Sequence, residues 1–166
     1  MTEEHFDIVD NEDRIVGLAT RSEVHGNPDL IHRVAHVLVF NSQGELFLQK
    51  RALSKDIQPG KWDTSVGGHV DQGESYYRAA LREMREELEI EPEKVEFLYK
   101  YLHSNEVETE YVSTYRCVWN GIISTNPQEI IEGRFWSLDD IAQASDSGVF
   151  TPNFLDELSR YQEYCK

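Results

Sequence analysis

A glycine-rich turn leads directly into an acidic, helix-forming segment, and this arrangement constrains the fold more than any other feature of the chain. The segment runs from Gly68 to Leu88. An ideal helix advances about 100° per residue, so Glu83, Glu86 and Glu87 fall within about 100° of arc. A separate stripe is apolar and comprises Tyr77, Ala80, Leu81, Met84 and Leu88. We therefore predict a helix from about Ser75 to Leu88 that packs one face against a core and presents carboxylates on the other.

The carboxylate stripe has two interpretations. Three glutamates at these spacings repel each other by a few tenths of a kcal/mol per pair, and a solvated acidic helix face is the ordinary reading. A hard divalent cation such as Mg²⁺ or Mn²⁺ would reverse that repulsion, because it prefers oxygen ligands. The fixed order of a glycine turn, Glu74, Arg82-Glu83 and Glu86-Glu87 favours the metal site.

These residues resemble the Nudix box, G-x5-E-x7-R-E-U-x-E-E-x-G-U, in which U is apolar. The match runs from Gly68 through Glu87 and returns at Ile90, and Glu89 stands where the family has glycine. That glycine accepts left-handed backbone angles at the helix exit, so its loss concerns the local turn more than the chemistry. The resemblance implies the Nudix fold, an α+β architecture in which a mixed β-sheet lies between helices as an α/β/α sandwich, and hydrolysis that depends on a divalent metal.

Length and composition suit one domain over residues 1–166. The apolar runs are too short for a membrane span, the acidic N-terminus is unlike a secretory leader, and two cysteines provide no disulfide framework, so we expect a cytoplasmic protein. The net charge of −15 argues against a nucleic acid polymer or an anionic membrane as partner. Any phosphate would need locally placed cations.

The order of the remaining elements predicts a mixed sheet with helices on both faces. We expect a hairpin over Phe6 to Val16 with a turn at Asp10 to Asp13. The other expected strands are Val34 to Asn41, Leu46 to Lys50, Val95 to Ser104, Glu108 to Trp119 and Gly133 to Ser137. Two further helices are expected, over Leu138 to Ala144 and Pro152 to Tyr164. Trp119, Phe135 and Trp136 are more often core than stacking surface.

Outside the box, the chain resembles the isopentenyl diphosphate isomerase branch of this superfamily. The similarity runs from the opening hairpin through Arg51-Ala-Leu-Ser-Lys55 and Pro59-Gly-Lys-Trp62. It implies a second metal cluster, whose counterparts here are His25, His32, His69, Glu108 and Glu110. Imidazole and carboxylate together suit Mn²⁺ or Zn²⁺, although each histidine alone is more often satisfied by hydrogen bonds. The resemblance also implies diphosphate contacts at Arg21, Arg51 and Lys55, whose ordinary reading is surface charge.

The departure at Gly67 separates the chain from those isomerases. They carry a catalytic cysteine at this position, whereas the sequence here reads Ser65-Val-Gly67-Gly68-His69 and offers no thiol. The hydroxyl of Ser65 is too weak an acid and base to replace it. The Gly67-Gly68 pair and the intact box both resemble members that hydrolyse diphosphates.

The sequence therefore predicts a metal-dependent hydrolase that cleaves the diphosphate linkage of a small X-diphosphate compound. Glu83, Glu86 and Glu87 would hold Mg²⁺ or Mn²⁺, Glu86 or Glu87 would act as the base, Arg82 would orient Glu86, and Glu74 would join the loop to the helix. Two alternatives stay open: a prenyl diphosphate isomerase acting through Glu110, and a nucleotide- or metal-binding module without turnover. The identity of X, and whether a homodimer forms, are not indicated by the sequence.

Overall fold

The computed structural model describes residues 3–55 and 57–166. These residues form nine strands and four helices in an α+β arrangement, as expected. In chain order the elements are β1 (His5–Val9), β2 (Ile15–Thr20), α1 (Arg21–Val24), β3 (Ile31–Phe40), β4 (Leu46–Arg51), β5 (Trp62–Asp63), β6 (Val66–His69), α2 (Tyr76–Leu88), β7 (Glu96–Ser104), β8 (Thr109–Val118), β9 (Ile130–Trp136), α3 (Leu138–Ala144) and α4 (Pro152–Tyr164).

Strand β3 organises the mixed sheet. It pairs in parallel with β8 over its whole length, from Ile31 opposite Thr109 to Phe40 opposite Val118. Along its other edge, Val34 to Val37 of β3 pair antiparallel with the short β6, and His36 lies opposite Gly67. Strands β7 and β9 add to β8 and β4 respectively, and β1 and β2 extend the sheet at the start of β3. The pairing of β3 with β6 and β8 brings three distant segments of the chain side by side.

Helices cover both faces of the sheet, which confirms the expected sandwich. Val37 and Val39 of β3 pack with α2 residues such as Met84 and Leu88. Leu38 and Phe40 point the other way and pack against α3 and α4. Because both faces of this part of β3 are buried, Val37 to Phe40 read as a continuous apolar run rather than an alternation.

Each long helix begins at a residue suited to capping it. The side chains of Ser75 and Thr151 accept hydrogen bonds from the third residue of α2 and α4, which satisfies backbone donors that a helix start leaves free. Helix α2 ends at Glu89, whose φ of 54° and ψ of 42° place it in the left-handed region. The chain therefore leaves the helix with the left-handed backbone angles that the glycine of the box would adopt, although Glu89 has a side chain.

Several details of the expected structure were wrong. Tyr77 is 47% exposed, and Ala79 takes its place in the buried stripe of α2. Strands β3 and β9 each begin three residues earlier than expected, and β2 continues four residues past Val16. The short elements α1, β5 and β6 were not expected at all. All three lie beside the pocket described below.

Other side chains are largely placed as expected. Trp136 is buried in the core under α4, while Trp119 and Phe135 pack against the core under α2. Both cysteines are free, Cys117 inside the core and Cys165 exposed near the end of the chain. None of the helices that the structure describes combines the length and the apolar character needed to cross a bilayer.

Candidate active site

A pocket with a volume of about 650 Å³ lies over β3 and β6, next to α2. Most of the expected site residues line it. They are Arg21, His25, Arg51, Lys55, Gly67, Gly68, His69, Glu83, Glu86, Glu87, Glu108 and Glu110. The other three, His32, Glu74 and Arg82, lie behind the pocket wall and contact residues that form it. The fold thus gathers residues from both halves of the chain in one cavity.

Arg82 joins the acidic helix to the loop before it. Its Nε and Nη2 atoms each donate to the carboxylate of Glu74 at 2.9 Å, and Nη2 also donates to the backbone oxygen of His69 at 2.9 Å. Its Nη1 atom donates to Glu83 at 2.7 Å and to Glu86 at 3.3 Å. Paired, bidentate contacts of this kind fix orientation as well as charge. Arg82 is therefore placed to position Glu83 and Glu86.

Two glycines let α2 approach β6 closely. A Cβ atom on Gly68 would overlap the carboxyl group of Glu83, so a side chain at this position would displace that glutamate. The backbone N–H of Gly67 donates to Glu87 Oε2 at 3.1 Å. The glycine turn thus provides both the space for Glu83 and a donor for Glu87.

The buried glutamates of α2 are poorly placed to carry charge on their own. Burial raises the pKa of Glu83 to about 7, although Arg82 works against this. Burial also raises the pKa of Glu87 well above its usual range, and the nearby Glu83 adds to the effect. Glu86 is different, because its side chain is 58% exposed.

These carboxyls fit a divalent cation in their chemistry, since positive charge would stabilise their ionised forms. The positions of these carboxyl groups fit a bound cation less closely than their chemistry does. In the described part of the chain, the groups whose ligand atoms lie mutually within 4.8 Å contain histidine, and the three glutamates of α2 do not form such a group. Arg82 holds Glu83 and Glu86 in the arrangement seen here.

A second cluster lies where α1 and the loop before β8 meet β3. The parallel register places His32 directly opposite Glu110, and His32 Nε2 lies 3.5 Å from Glu110 Oε2. Glu108 Oε2 lies 3.2 Å from His25 Nε2 and 3.8 Å from His32 Nε2. His69, at the end of β6, completes the set, and its ring centre lies 5.2 Å from that of His32.

The local sequence explains how His25 reaches this cluster. Thr20 and Glu23 form a capping box, in which each side chain accepts a hydrogen bond from the other residue's backbone N–H. The capped turn is α1, and His25 is the residue that follows its last helical position. The N–H of the next residue, Gly26, donates to Val107 O at 2.8 Å, which holds α1 against the loop that carries Glu108.

The histidine and glutamate cluster fits a transition metal. Ligand atoms of His25, His32 and His69 lie within 4.8 Å of one another, as do those of His32, Glu108 and Glu110. His32 is fully buried, and among the described residues neither of its ring nitrogens has a hydrogen-bond partner, which is costly unless another ligand is bound. Burial lowers the pKa of His69 to about 3, so this imidazole is neutral and its lone pair is available.

The three expected diphosphate contacts enter the pocket from two sides. Arg51 ends β4 and donates to Ile57 O at 3.0 Å, with its Nη1 3.4 Å from Asp63. Lys55 follows in the loop after β4 and also lines the pocket. Arg21 lies on the opposite side, at the start of α1, where it pairs with Glu4 at 2.8 Å. Arg51 and Lys55 thus come from β4 and the loop after it, whereas Arg21 comes from α1.

Sequence reasoning missed several polar residues in or behind the pocket wall. His36, Gln49 and Asp63 line it, and Glu157 of α4 accepts a hydrogen bond from His36 Nδ1 at 2.8 Å. The signal for His36 was present, because residues 32, 34 and 36 share one face of a strand. No comparable signal existed for Glu157, which lies 121 positions away in the sequence.

Neither cysteine is near the position of the isomerase thiol. Cys117 lies in the core under α2, where burial raises the pKa of its thiol to about 12. Cys165 follows α4, and neither residue lines the pocket. The chain has only these two cysteines, so the pocket has no thiol.

Comparison with known proteins agrees with this architecture. The family model of the NUDIX domain matches residues 30–158. An isopentenyl-diphosphate Delta-isomerase of Citrobacter koseri is 33% identical over 160 residues, covering 92% of this chain and 88% of its own length. A protein of Pseudomonas aeruginosa named as an uncharacterised Nudix hydrolase is 33% identical over 153 residues, covering 92% and 90%.

The fold comparison gives the same result. The crystal structure of DR0079 from Deinococcus radiodurans is similar with a TM-score of 0.80 and 29% identity, covering 95% of this chain and 98% of that one. The family match, the shared box and the shared fold together identify the chain as a member of the Nudix hydrolase family.

Proposed function

We propose that this Nudix hydrolase cleaves the diphosphate linkage of a small X-diphosphate compound by attack of water at phosphorus, with Mg²⁺ or Mn²⁺ held by Glu83, Glu86 and Glu87. The observation that carries the proposal is one pocket lined both by these carboxylates and by Arg51 and Lys55. Acidic ligands for a cation and basic contacts for phosphate are the two components that such a reaction needs. When bound, the cation neutralises phosphate oxygens and lowers the pKa of water.

The residues around the carboxylates would have distinct roles. Arg82 and Glu74 keep the loop and helix in register, and Arg82 orients Glu86. Glu86 or Glu87 would remove a proton from the attacking water. The backbone N–H of Gly67 holds Glu87 in place, whereas the side chain of Glu86 is 58% exposed, and this fixed position supports Glu87 as the base. Arg51 and Lys55, and from the other side Arg21, would bind diphosphate oxygens.

We further propose that His25, His32, His69, Glu108 and Glu110 hold a second cation, Mn²⁺ or Zn²⁺. The two unpartnered ring nitrogens of His32 support this assignment. Imidazole and carboxylate donors together suit these ions. The cluster would anchor α1 and the loop before β8 at one end of the pocket.

Prenyl diphosphate isomerisation through Glu110 is the second candidate, favoured by the Citrobacter koseri relative. Two observations weigh against it. The pocket has no thiol, and its lining is mostly polar, with Val34, Ile57, Val107 and Ile130 as the apolar members. A prenyl chain would bury more apolar surface than these side chains offer.

Glu87→Gln tests the hydrolase proposal. Nucleoside, sugar, coenzyme and prenyl diphosphates would be incubated with Mg²⁺ and with Mn²⁺, and products resolved by chromatography. We expect hydrolysis of at least one class by the wild type and a fall of roughly 10²-fold in Glu87→Gln. The matched control is Glu91→Gln, an exposed glutamate beyond the same helix. Double-bond migration by the wild type, or full activity in Glu87→Gln, would contradict the proposal.

A further inference from the structure

A buried carboxylate on the far side of the sheet reaches through to the pocket. Glu157 of α4 is fully buried. It accepts hydrogen bonds from His36 Nδ1 at 2.8 Å, from Tyr101 at 3.1 Å, from Thr114 Oγ1 at 2.9 Å and from the hydroxyl of Tyr99. Isolated charges are costly inside a protein, and these donors offset that cost. Burial opposes the charged form, but the His36 contact and the hydroxyls lower the pKa of Glu157.

His36 connects this carboxylate to the pocket. Its side chain is 12% exposed, and it forms part of the pocket wall. With Nδ1 held by Glu157, the opposite edge of the ring lies beside Gly67. A Cβ atom on Gly67 would lie 3.1 Å from His36 Cδ2 and 3.3 Å from Nε2. The imidazole therefore occupies the space next to the position where the isomerases have their thiol.

The second ring nitrogen of His36 lies beside Gly67, which also lines the pocket. Every carboxylate contact above is made by Nδ1 or by hydroxyl groups, which leaves Nε2 for a ligand. Gly67 lies opposite His36 in the sheet and donates to Glu87. Gly67 thus contacts both the Nε2 edge of His36 and the proposed base Glu87.

We propose that His36, oriented by Glu157, donates a hydrogen bond from Nε2 to a phosphate oxygen of the substrate. This inference rests on the proposed function, since it assigns a further binding group to the same pocket. A purely structural role would explain the buried network but gives no use to the Nε2 edge of His36, which lies beside Gly67 in the pocket lining.

Charge supports this assignment. Burial disfavours the imidazolium form, but the hydrogen bond to Glu157 outweighs burial and raises the pKa of His36. Both ring nitrogens are donors in that form. A raised pKa favours the form in which Nε2 donates, and a donor suits a phosphate oxygen.

The test uses the full-length protein and methylene diphosphonate, a diphosphate analogue that is not hydrolysed. Calorimetry with Mg²⁺ would compare the wild type with His36→Gln and Glu157→Gln. We expect the affinity to fall by about tenfold or more in His36→Gln, as for loss of a charge-assisted hydrogen bond, and by less in Glu157→Gln. Kinetic analysis of any substrate found should show KM rising more than kcat falls.

His103→Gln is the matched control. His103 Nδ1 lies 3.5 Å from Asp156 of α4, so it too pairs a strand histidine with a carboxylate of that helix, but it does not line the pocket. We expect the affinity of the His103→Gln variant for the diphosphonate to stay within about twofold of that of the wild type. A ¹⁵N NMR titration of the wild type covers the case in which a variant does not fold. The Nε2 resonance of His36 should shift on binding, and that of His103 should not.

The outcomes separate the two proposals. A wild type that binds the diphosphonate through His36 but hydrolyses nothing would support the inference and refute the proposed function. A wild type that hydrolyses a substrate, with a folded His36→Gln variant of unchanged affinity and KM, would overturn the inference alone. Absence of diphosphonate binding, or an unshifted His36 resonance, would overturn it as well.

Discussion

At the scale of single residues, the glycine at position 68 matters because it determines where the side chain of Glu83 can lie. Gly68 has no room for a side chain because Glu83 occupies the adjoining volume. The obstructing group is the end of a flexible side chain rather than backbone. An added methyl group would therefore move Glu83 more readily than it would unfold the protein.

Gly68→Ala should accordingly separate activity from stability. We expect hydrolysis to fall at least about tenfold, because Glu83 is displaced from its place beside Arg82, while the free energy of unfolding changes by under about 1 kcal/mol. Urea unfolding and the product assay measure the two effects. Gly17→Ala is the control, since its Cβ would lie 3.9 Å from Ile8, an ordinary contact. Full activity in Gly68→Ala would show that the position of Glu83 is unimportant.

The residues of the box could be predicted because they are close in sequence and follow the helical period. Glu83, Glu86 and Glu87 lie on α2 and all line the pocket. What the period could not predict is how differently they are exposed, with Glu86 in solvent and Glu87 beneath Gly67. That difference depends on where β6 passes the helix, which is a tertiary contact.

At the scale of secondary-structure elements, the long segments were predictable and the short ones were not. Helix α2 begins at Tyr76, one residue after its cap, and β4 extends one residue past its expected end. The strands β5 and β6 comprise two and four residues, too few for a periodic pattern. They form because β3 and β4 are available to pair with them. Helix α1 similarly depends on one capping box.

The turn between β1 and β2 shows how tertiary contacts fix an element. Asp13 has a positive φ of 63°, and its carboxylate accepts from Arg33 Nε at 2.8 Å, Tyr76 at 2.9 Å and Lys100 at 2.6 Å. These partners belong to β3, α2 and β7. The sequence predicted a turn here but not its role as an anchor for three elements.

The exit of α2 gives a prediction about stability. Glu89 adopts left-handed angles that cost a residue with a side chain roughly 1 kcal/mol relative to glycine. We therefore expect Glu89→Gly to raise the free energy of unfolding by about 1 kcal/mol in urea denaturation, without altering activity. Glu93→Gly serves as control, because Glu93 is not among the described residues with positive φ and the substitution there should be neutral or destabilising. An equal effect of both would disprove the backbone explanation.

At the scale of the whole molecule, the site depends on pairings between segments far apart in the chain. His32 meets Glu110 only because β3 and β8 run parallel with a fixed register, and His36 meets Glu157 only because α4 covers the other face. The sequence predicted a mixed sheet with helices on both faces. Its strand order and register follow from packing of the complete core, which no local pattern encodes.

The acidity of the molecule leads to the last prediction. The chain carries a net charge of −15, and buried carboxyls and histidines are concentrated in one pocket. A cation bound only by the folded state raises its stability by mass action, so Mg²⁺ at about ten times its Kd should raise Tm by about 3–6 °C. KCl at equal ionic strength controls for general screening of charge.

Two variants assign the shift to one cluster or the other. We expect the Mg²⁺-induced rise in Tm to be smaller in Glu87→Gln, and the rise caused by Mn²⁺ or Zn²⁺ to be smaller in His69→Ala. Equal shifts in wild type and both variants, measured by scanning calorimetry, would show that neither cluster binds the ion.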